Sequence, residues 1–318
     1  MKTDAKKLCI AVLLGGFSNE REISLRSGRA ISQALSSLGH NVTEIDVKDE
    51  TVAELDNVSF HVAFIALHGK FGEDGGIQQL LEKKGIPYTG SSPTACSNAM
   101  DKLESKLLFK LNKVPMPAYK IIEKETTTAR IEQYANELGY PVVLKPRAEG
   151  SSIGVTIHKY AKTIENGLAE ARCLGDTVIM EKFIPGRELT VGILVDETLD
   201  NDEPLPIIEL KPKRAFFDYT AKYEDTETVY VVDPKDLDDE IKIKVQETAL
   251  AAHLAVGCEG FSRVDLILSN LKNVYILEVN AIPGMTERSL LPKAARAKGI
   301  EFPQLCERLV KAALRKKK

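Results

Sequence analysis

The chain has 318 residues, 43% of them hydrophobic and 28% charged, with glycine and proline scattered rather than clustered. That length exceeds one ordinary small domain, so two or three domains with sizeable cores are expected. A formal net charge of −3 gives no general attraction to nucleic acid, and no apolar run approaches the roughly 20 residues that cross a bilayer; neither nucleic acid nor membrane is an expected partner.

The first apolar stretch, residues 8–14, ends in Gly15-Gly16 and lacks a small-residue cleavage site, so it reads as a buried strand rather than a signal peptide. From about 8 to 97, strand and helix alternate. Residues 9–14 predict a strand and Gly15 to Asn19 a turn. A helix follows with Ile23, Ala30, Ile31, Ala34, Leu35 and Leu38 on one face and Gly39 as its stop. Residues 41–47 and 60–67 predict further strands, and 75–84 a helix. This order argues for a parallel sheet covered on both faces.

From about 98 to 183, a helix bearing Leu103, Leu107, Leu108 and Leu111 precedes strand-like runs at 118–122, 140–144, 155–157 and 177–183. From 184 to 318, strands are expected at 188–195 and 205–210, then an aromatic loop at 212–227. A helix carries Ile241, Val245, Ala249, Ala252 and Val256. Strands at 263–268 and 274–279 precede a last helix with Phe302, Leu305, Leu309 and Ala312. The basic end, Arg315-Lys316-Lys317-Lys318, reads as a solvated terminus. Cys9, Cys96, Cys173, Cys258 and Cys306 are odd in number, widely spaced and without a C-x-x-C pair. Reduced thiols of a cytoplasmic protein fit that pattern better than a disulfide or zinc framework.

The most informative residues are Arg263-Val-Asp265 and Glu278-Val-Asn280. Strand side chains alternate, so Arg263 and Asp265 share a face, as do Glu278 and Asn280. If residues 270–273 form a hairpin loop, antiparallel partners have numbers summing to 543, which sets Asp265 opposite Glu278 and Arg263 opposite Asn280. Carboxylates directly opposite repel. A divalent cation removes that conflict, and two carboxylates with an amide oxygen suit Mg²⁺. A solvent-facing surface hairpin is the competing reading, and the apolar neighbours on both strands argue against it.

Lys145 closes a strand and is followed by the small-residue run Glu149-Gly150-Ser151-Ser152-Ile153-Gly154, a cation beside backbone N–H groups that suits phosphates. It is no Walker A loop, since its lysine precedes the glycines. A flexible hairpin loop fits that run equally well. Glu181-Lys182-Phe183-Ile184 lies between the second and third segments, where the backbone could read an adenine edge and Glu188 the ribose; an ordinary strand end is the plainer alternative. Gly15 to Glu22 follows the first strand, where parallel sheets bind ligands, but it does not fit G-x-G-x-x-G. His68 closes another strand near that crevice, although a lone histidine is commonly structural. Lys222 and Tyr223 sit in the 212–227 loop with Phe216, Phe217 and Tyr219, a composition suggesting a lid.

Together these residues resemble the D-alanine–D-alanine ligase family of the ATP-grasp superfamily. The resemblance runs from the first strand to about residue 312. It rests on LLGGFSNEREISLRSG, IALHGKFGEDGGIQ, PYTGSSPTACSNAMDK, VLKPRAEGSSIGV, EKFIPGRELTVGIL, DYTAKY, GFSRVDLIL and LEVNAIPGMTERSLLP in order. It implies an α/β fold of three domains: a Rossmann-like parallel-sheet domain (1–97) that binds substrate, and two α+β lobes (98–183 and 184–318) gripping ATP. By the same resemblance, Lys102 and Lys145 hold phosphates, and Ser151 belongs to the same loop. Glu181, Lys182, Ile184 and Glu188 hold adenosine, while Asp265, Glu278 and Asn280 bind two Mg²⁺, with Mn²⁺ as a substitute. Glu20 and His68 would engage the first D-alanine, with Glu20, Ser151 and Tyr223 linked by hydrogen bonds. Lys222, Arg263, Ser289 and the Gly284 N–H would surround the acyl phosphate and second substrate.

Ala281 stands where the family pattern has Thr, which touches neither Arg263 nor the expected metal ligands. Tyr223 stands where similar enzymes that make the D-alanyl-D-lactate ester carry Phe, which favours peptide formation. The implied reaction yields D-alanyl-D-alanine, ADP and phosphate for peptidoglycan in the cytoplasm, and a homodimer is expected. An ATP-grasp ligase for another nucleophile, such as D-lactate, and a nucleotide-binding regulatory protein are the competing readings.

Overall fold

The computed structural model describes residues 7–150, 152–196, 201–211 and 228–316. The first sheet is parallel, in the order β2 (Asn41–Val47), β1 (Cys9–Gly15) and β3 (Val62–Ile65). Its central strand pairs Ile10 with both Val42 and Val62. A strand covered on both faces must be apolar throughout, hence the unbroken run in β1. Helix α1 (Arg21–Ser37) crosses between β1 and β2. At Gly15 φ is +82°, and a Cβ there would lie 2.1 Å from Asp46 Oδ1, so the turn into α1 requires glycine.

Ile31, Ala34 and Leu35 face inward from α1 as expected, but Leu38 is 40% exposed, and Ser24, Ser27 and Ser32 share the buried face. Ser24 Oγ donates to Ala66 O at 2.8 Å, which satisfies a hydroxyl that burial would otherwise penalise. Short helices α2 (Gly76–Lys83) and α3 (Pro93–Met100) lead out of this layer. Beyond α8 (Leu290–Ala297), the last helix, α9 (Phe302–Arg315), returns to it: Leu305, Leu309 and Val310 share a core with Ile10, Val12, Phe64 and Ile31.

The second sheet is antiparallel, in the order β4 (Tyr119–Ile122), β7 (Val178–Lys182), β5 (Val142–Pro146) and β6 (Thr156–His158). Val142, Leu144, Val178 and Met180 pack against α5 (Thr128–Leu138) and α6 (Ile164–Arg172). Alternation therefore turns Val143, Lys145 and Glu181 to the other face. The third sheet is also antiparallel, in the order β11 (Val229–Val232), β10 (Ile208–Lys211), β8 (Gly186–Val195), β12 (Phe261–Ser269) and β13 (Val274–Asn280). Strand β9 (Asp202–Pro204) pairs with β8. Leu189, Val191, Val264, Leu266, Ile276 and Val279 pack on α7 (Asp239–Ala255) through Val245, Ala249 and Ala252. The expected α/β architecture of one parallel sheet and two α+β lobes is the one observed.

Two further details depart from the sequence reading. In α4 (Lys102–Leu111) the buried residues are Lys102, Ser105, Lys106 and Phe109, while Leu107 is 43% and Leu111 77% exposed. Helix α4 lies beside a charged site, and its inner face is correspondingly half polar. The β12–β13 hairpin pairs Asp265 with Glu278 and Arg263 with Asn280 as expected, yet Leu266 pairs with Ile276 and Leu268 with Val274. The ladder is therefore shifted by one near the turn, and a bulge at Leu277 restores the expected register at the acidic pair.

Candidate active site

The inner faces of the second and third sheets enclose a cavity of about 390 Å³. Val143, Lys145, Ile157 and Glu181 line it from one side and Ile267 and Leu277 from the other, with Lys182 at the end of β7, Ile184 in the connection and Glu188 near the start of β8 completing it. Apolar groups with a few placed charges suit a planar base carrying a polar tail.

On the second sheet, Glu181 pairs with Val143 across the ladder, which puts Lys145 on its diagonal. Lys145 Nζ lies 2.8 Å from Glu181 Oε2, and Lys106 Nζ lies 2.7 Å from Oε1. All three side chains are buried, Glu181 to 2% exposure. Burial opposes the charge on Glu181, but Lys106 and Lys145 outweigh it and hold the carboxyl below its usual range. Burial pulls the Lys106 ammonium down, against the Glu181 carboxylate. Breaking a buried pair of this kind by removing one partner typically costs about 3–5 kcal/mol.

The run after Lys145 is tied to the start of α4. Asp101 caps that helix, accepting from Leu103 N at 2.9 Å and Glu104 N at 3.3 Å. It also receives Arg147 Nε at 3.0 and 2.8 Å. Lys102 N donates to Arg147 O at 2.9 Å, and Lys102 Nζ donates to Glu149 O. Burial works against the Asp101 charge, while Arg147 and the two helix N–H groups outweigh it and lower its pKa.

On the third sheet, Arg263 grips Asp265 with two bonds, Nε to Oδ1 at 2.9 Å and Nη2 to Oδ2 at 2.8 Å. Thr190, paired with Asp265 across β8, donates to Oδ1 at 2.6 Å, and Asn280 Nδ2 donates to Oδ2 at 3.2 Å. The bulge has a purpose visible here. It lets Leu277 line the large cavity while Glu278 faces Asp265, with Ile276 and Val279 still in the core. A narrow crevice of about 30 Å³ then joins Glu278 and Asn280 to Lys102, Glu149, Gly150 and Glu73. Among the described residues no three His, Cys, Asp or Glu side chains form a ready-made metal cluster. The donor set is two carboxylates and an amide, hard oxygen ligands of the kind Mg²⁺ takes in company with phosphates and water.

The first sheet closes this corner. His68, 5% exposed, has Nδ1 3.0 Å from Glu73 Oε1 and Nε2 3.3 Å from Ser27 Oγ. Ser27 Oγ in turn accepts from Met285 N at 3.4 Å. A side chain at Gly150 would come within 3.8 Å of Glu20 Oε2 and 4.0 Å of Glu73 Oε2. One at Gly284 would come within 3.2 Å of Ser289 Oγ, which accepts from Thr286 N at 3.1 Å.

Thus Lys145, Glu181, Lys182, Ile184 and Glu188 line one cavity, and Lys102, Glu278 and Asn280 line the adjoining crevice, with Asp265 and Arg263 on the same sheet face. Ser151, Lys222, Tyr223 and the 212–227 lid lie outside the described residues. Sequence reasoning missed Lys106, Glu73, Ser27 and Thr190. The only signal for Lys106 was its spacing of four from Lys102, which places both on one helical face.

A family model described as the C-terminus of D-ala D-ala ligase matches residues 108–311, and its N-terminal counterpart matches 44–91. The chain belongs to the D-alanine–D-alanine ligase family. A D-alanine–D-alanine ligase of Syntrophotalea carbinolica is 45% identical over 309 residues, covering 96% of this chain and 97% of that protein. One from Thermotoga petrophila is 46% identical over 308 residues, covering 96% and 98%. The crystal structure of the Bacillus anthracis D-alanine–D-alanine ligase complexed with ATP superposes with a TM-score of 0.83 at 30% identity, over 97% of this chain and 98% of that one. In this family, then, the cavity between the two antiparallel sheets is set in a chain that matches a nucleotide-bound ligase almost end to end.

Proposed function

We propose that the protein joins two D-alanine molecules to D-alanyl-D-alanine, converting ATP to ADP and phosphate, in the supply of peptidoglycan precursors. The observation that carries this reading is a cavity lined by Lys145 and Glu181 on one wall and Ile267 and Leu277 on the other, with a crevice where Lys102 meets Glu278 and Asn280, in a chain 45% identical to a D-alanine–D-alanine ligase along nearly its whole length.

Adenine lies against Ile184, Ile267 and Leu277, with Glu188 on the ribose and Lys145 and Lys102 toward the phosphates. Two Mg²⁺ ions held by Asp265, Glu278 and Asn280, with Mn²⁺ as a substitute, would neutralise charge on the transferring phosphoryl group. The amide of Asn280 donates to Asp265 here, so it would turn its oxygen inward, a flip of no steric consequence. Glu20 and His68 hold the first D-alanine, whose carboxylate oxygen attacks the γ-phosphorus as the bond to ADP breaks. The second D-alanine, beside Ser289, attacks the acyl carbonyl as a free amine and expels phosphate. Arg263 and the Gly284 N–H stabilise the oxyanion, a contact typically worth about 3–4 kcal/mol. By family resemblance Ser151 and Tyr223 belong to the same reaction; both lie outside the described residues. Cytoplasmic location and a homodimer belong to the same reading.

The test is ADP release with Mg²⁺-ATP and D-alanine, L-alanine, or D-alanine plus D-lactate, with mass analysis of products. Turnover on D-alanine alone, giving the dipeptide, is the expected outcome. Release only with another acid or nucleophile would overturn the substrate assignment.

A further inference from the structure

Lys106 belongs to the basic wall and has no place in the mechanism above. It sits one turn after Lys102 on the buried face of α4, and its ammonium reaches Glu181 at 2.7 Å while lying 4.9 Å above the Tyr119 ring. Lys145 takes the other oxygen of the same carboxylate at 2.8 Å. Only Lys145 and Glu181 of the three line the nucleotide-sized cavity, so Lys106 stands behind the wall.

Charge counting gives the arrangement its meaning. One carboxylate alone would neutralise Lys145 and could take it in both oxygens. With Lys106 holding Oε1, the carboxylate is split between two ammoniums, and the trio carries a net charge of +1 in a site of low exposure. A buried unit charge facing a polyphosphate is worth far more than an exposed one. We propose that Lys106 is a positioning residue which, by holding one oxygen of Glu181, limits that carboxylate's grip on Lys145 and leaves Lys145 turned to the phosphates of a bound nucleotide. This rests on the nucleotide reading of the cavity; Lys106 itself touches no ligand.

The test is direct binding of ADP and of adenosine to the full-length protein and to Lys106→Met, Lys106→Arg and Lys106→Met/Glu181→Gln. Lys106→Met is expected to weaken ADP by roughly tenfold to a hundredfold and to leave adenosine unchanged, because the lost charge acts on phosphate alone. Lys106→Arg restores ADP binding. Adding Glu181→Gln to Lys106→Met recovers part of the loss, since Lys145 is then released from its carboxylate. In steady-state assays the loss falls on the KM for ATP rather than on kcat, as for a contact shared by ground and transition states. Equal losses for ADP and adenosine, or no loss for either, would assign Lys106 to packing and overturn the proposal. Should Lys106→Met not fold, Lys106→Gln, which keeps a donor for the carboxylate, carries the same expectations. Failure of the unaltered protein to bind ADP would take down the nucleotide reading as well, whereas ADP binding without dipeptide synthesis would leave Lys106 its role.

Discussion

The second sheet turns Lys145, backed by Lys106, into the large cavity, while the third sets Asp265 opposite Glu278 and turns Glu278 into the crevice. Both walls arise by the same device. Alternation sends Val142 and Leu144, or Val264 and Leu266, into a helix-covered core and leaves every other residue for chemistry. They differ in how charge is held. The basic wall is a closed trio of buried side chains with one cation in excess. The acidic wall keeps Asp265 at 15% exposure, clasped by Arg263 and Thr190, with Glu278 directly opposite. A ligand layered in the same way, anionic toward one wall and carrying divalent cations toward the other, satisfies both at once, which is the charge pattern of a metal–nucleotide complex.

The largest effect expected from disturbing this contrast is at Glu278. Glu278→Gln keeps the shape and removes the charge, and turnover at ordinary Mg²⁺ should fall by about a thousandfold or more, with metal-free ADP binding intact. Near-normal turnover would erase the acidic wall's part in the comparison. Thr190→Val, nearly isosteric, removes the 2.6 Å bond that orients Asp265. A support of this kind is typically worth about tenfold to a hundredfold in metal affinity, so the Mg²⁺ concentration for half-maximal rate should rise by that factor while the saturated rate changes little. An unchanged Mg²⁺ requirement would mean the other partners of Asp265, Arg263 among them, orient the carboxylate without Thr190.

The acidic wall was legible in the sequence and the basic wall only half so. Strand alternation and a hairpin count are short-range rules, and they set Asp265 against Glu278 even though the turn is tighter than assumed. The bulge at Leu277 made up the difference, and no pattern announced it. Lys106 escaped for a longer-range reason. Leu103, Leu107, Leu108 and Leu111 predict an apolar face for its helix, yet Leu107 and Leu111 are exposed. A lysine in a helix reads as surface until a buried carboxylate 75 residues later in the chain is brought beneath it. Ser27 was similarly hidden, since its partners His68 and Met285 meet it only when the first sheet and the 281–289 turn come together. Residue types that make chemistry were visible, whereas residues that hold them in place depended on tertiary contacts.

The smallest effect tests how firmly the basic wall is anchored. Asp101 both caps α4 and ties down Arg147, and Asn is as good a cap as Asp. Asp101→Asn therefore keeps the helix start and weakens the link to the run after Lys145. A threefold or so rise in the KM for ATP is expected, with kcat nearly unchanged. The pH dependence separates this from a general loosening. Because the folded-state pKa of Asp101 is lowered, its contribution to stability is complete above its unfolded value, about pH 4. It is lost only as the pH falls below that, through the lower folded value. The Asn variant should accordingly show a flatter decline of melting temperature below about pH 4 and a parallel, slightly lower curve above it. A KM shift with no change in the acid limb would place the anchoring in Lys102 and its hold on Arg147 O and Glu149 O instead of in the Asp101–Arg147 pair.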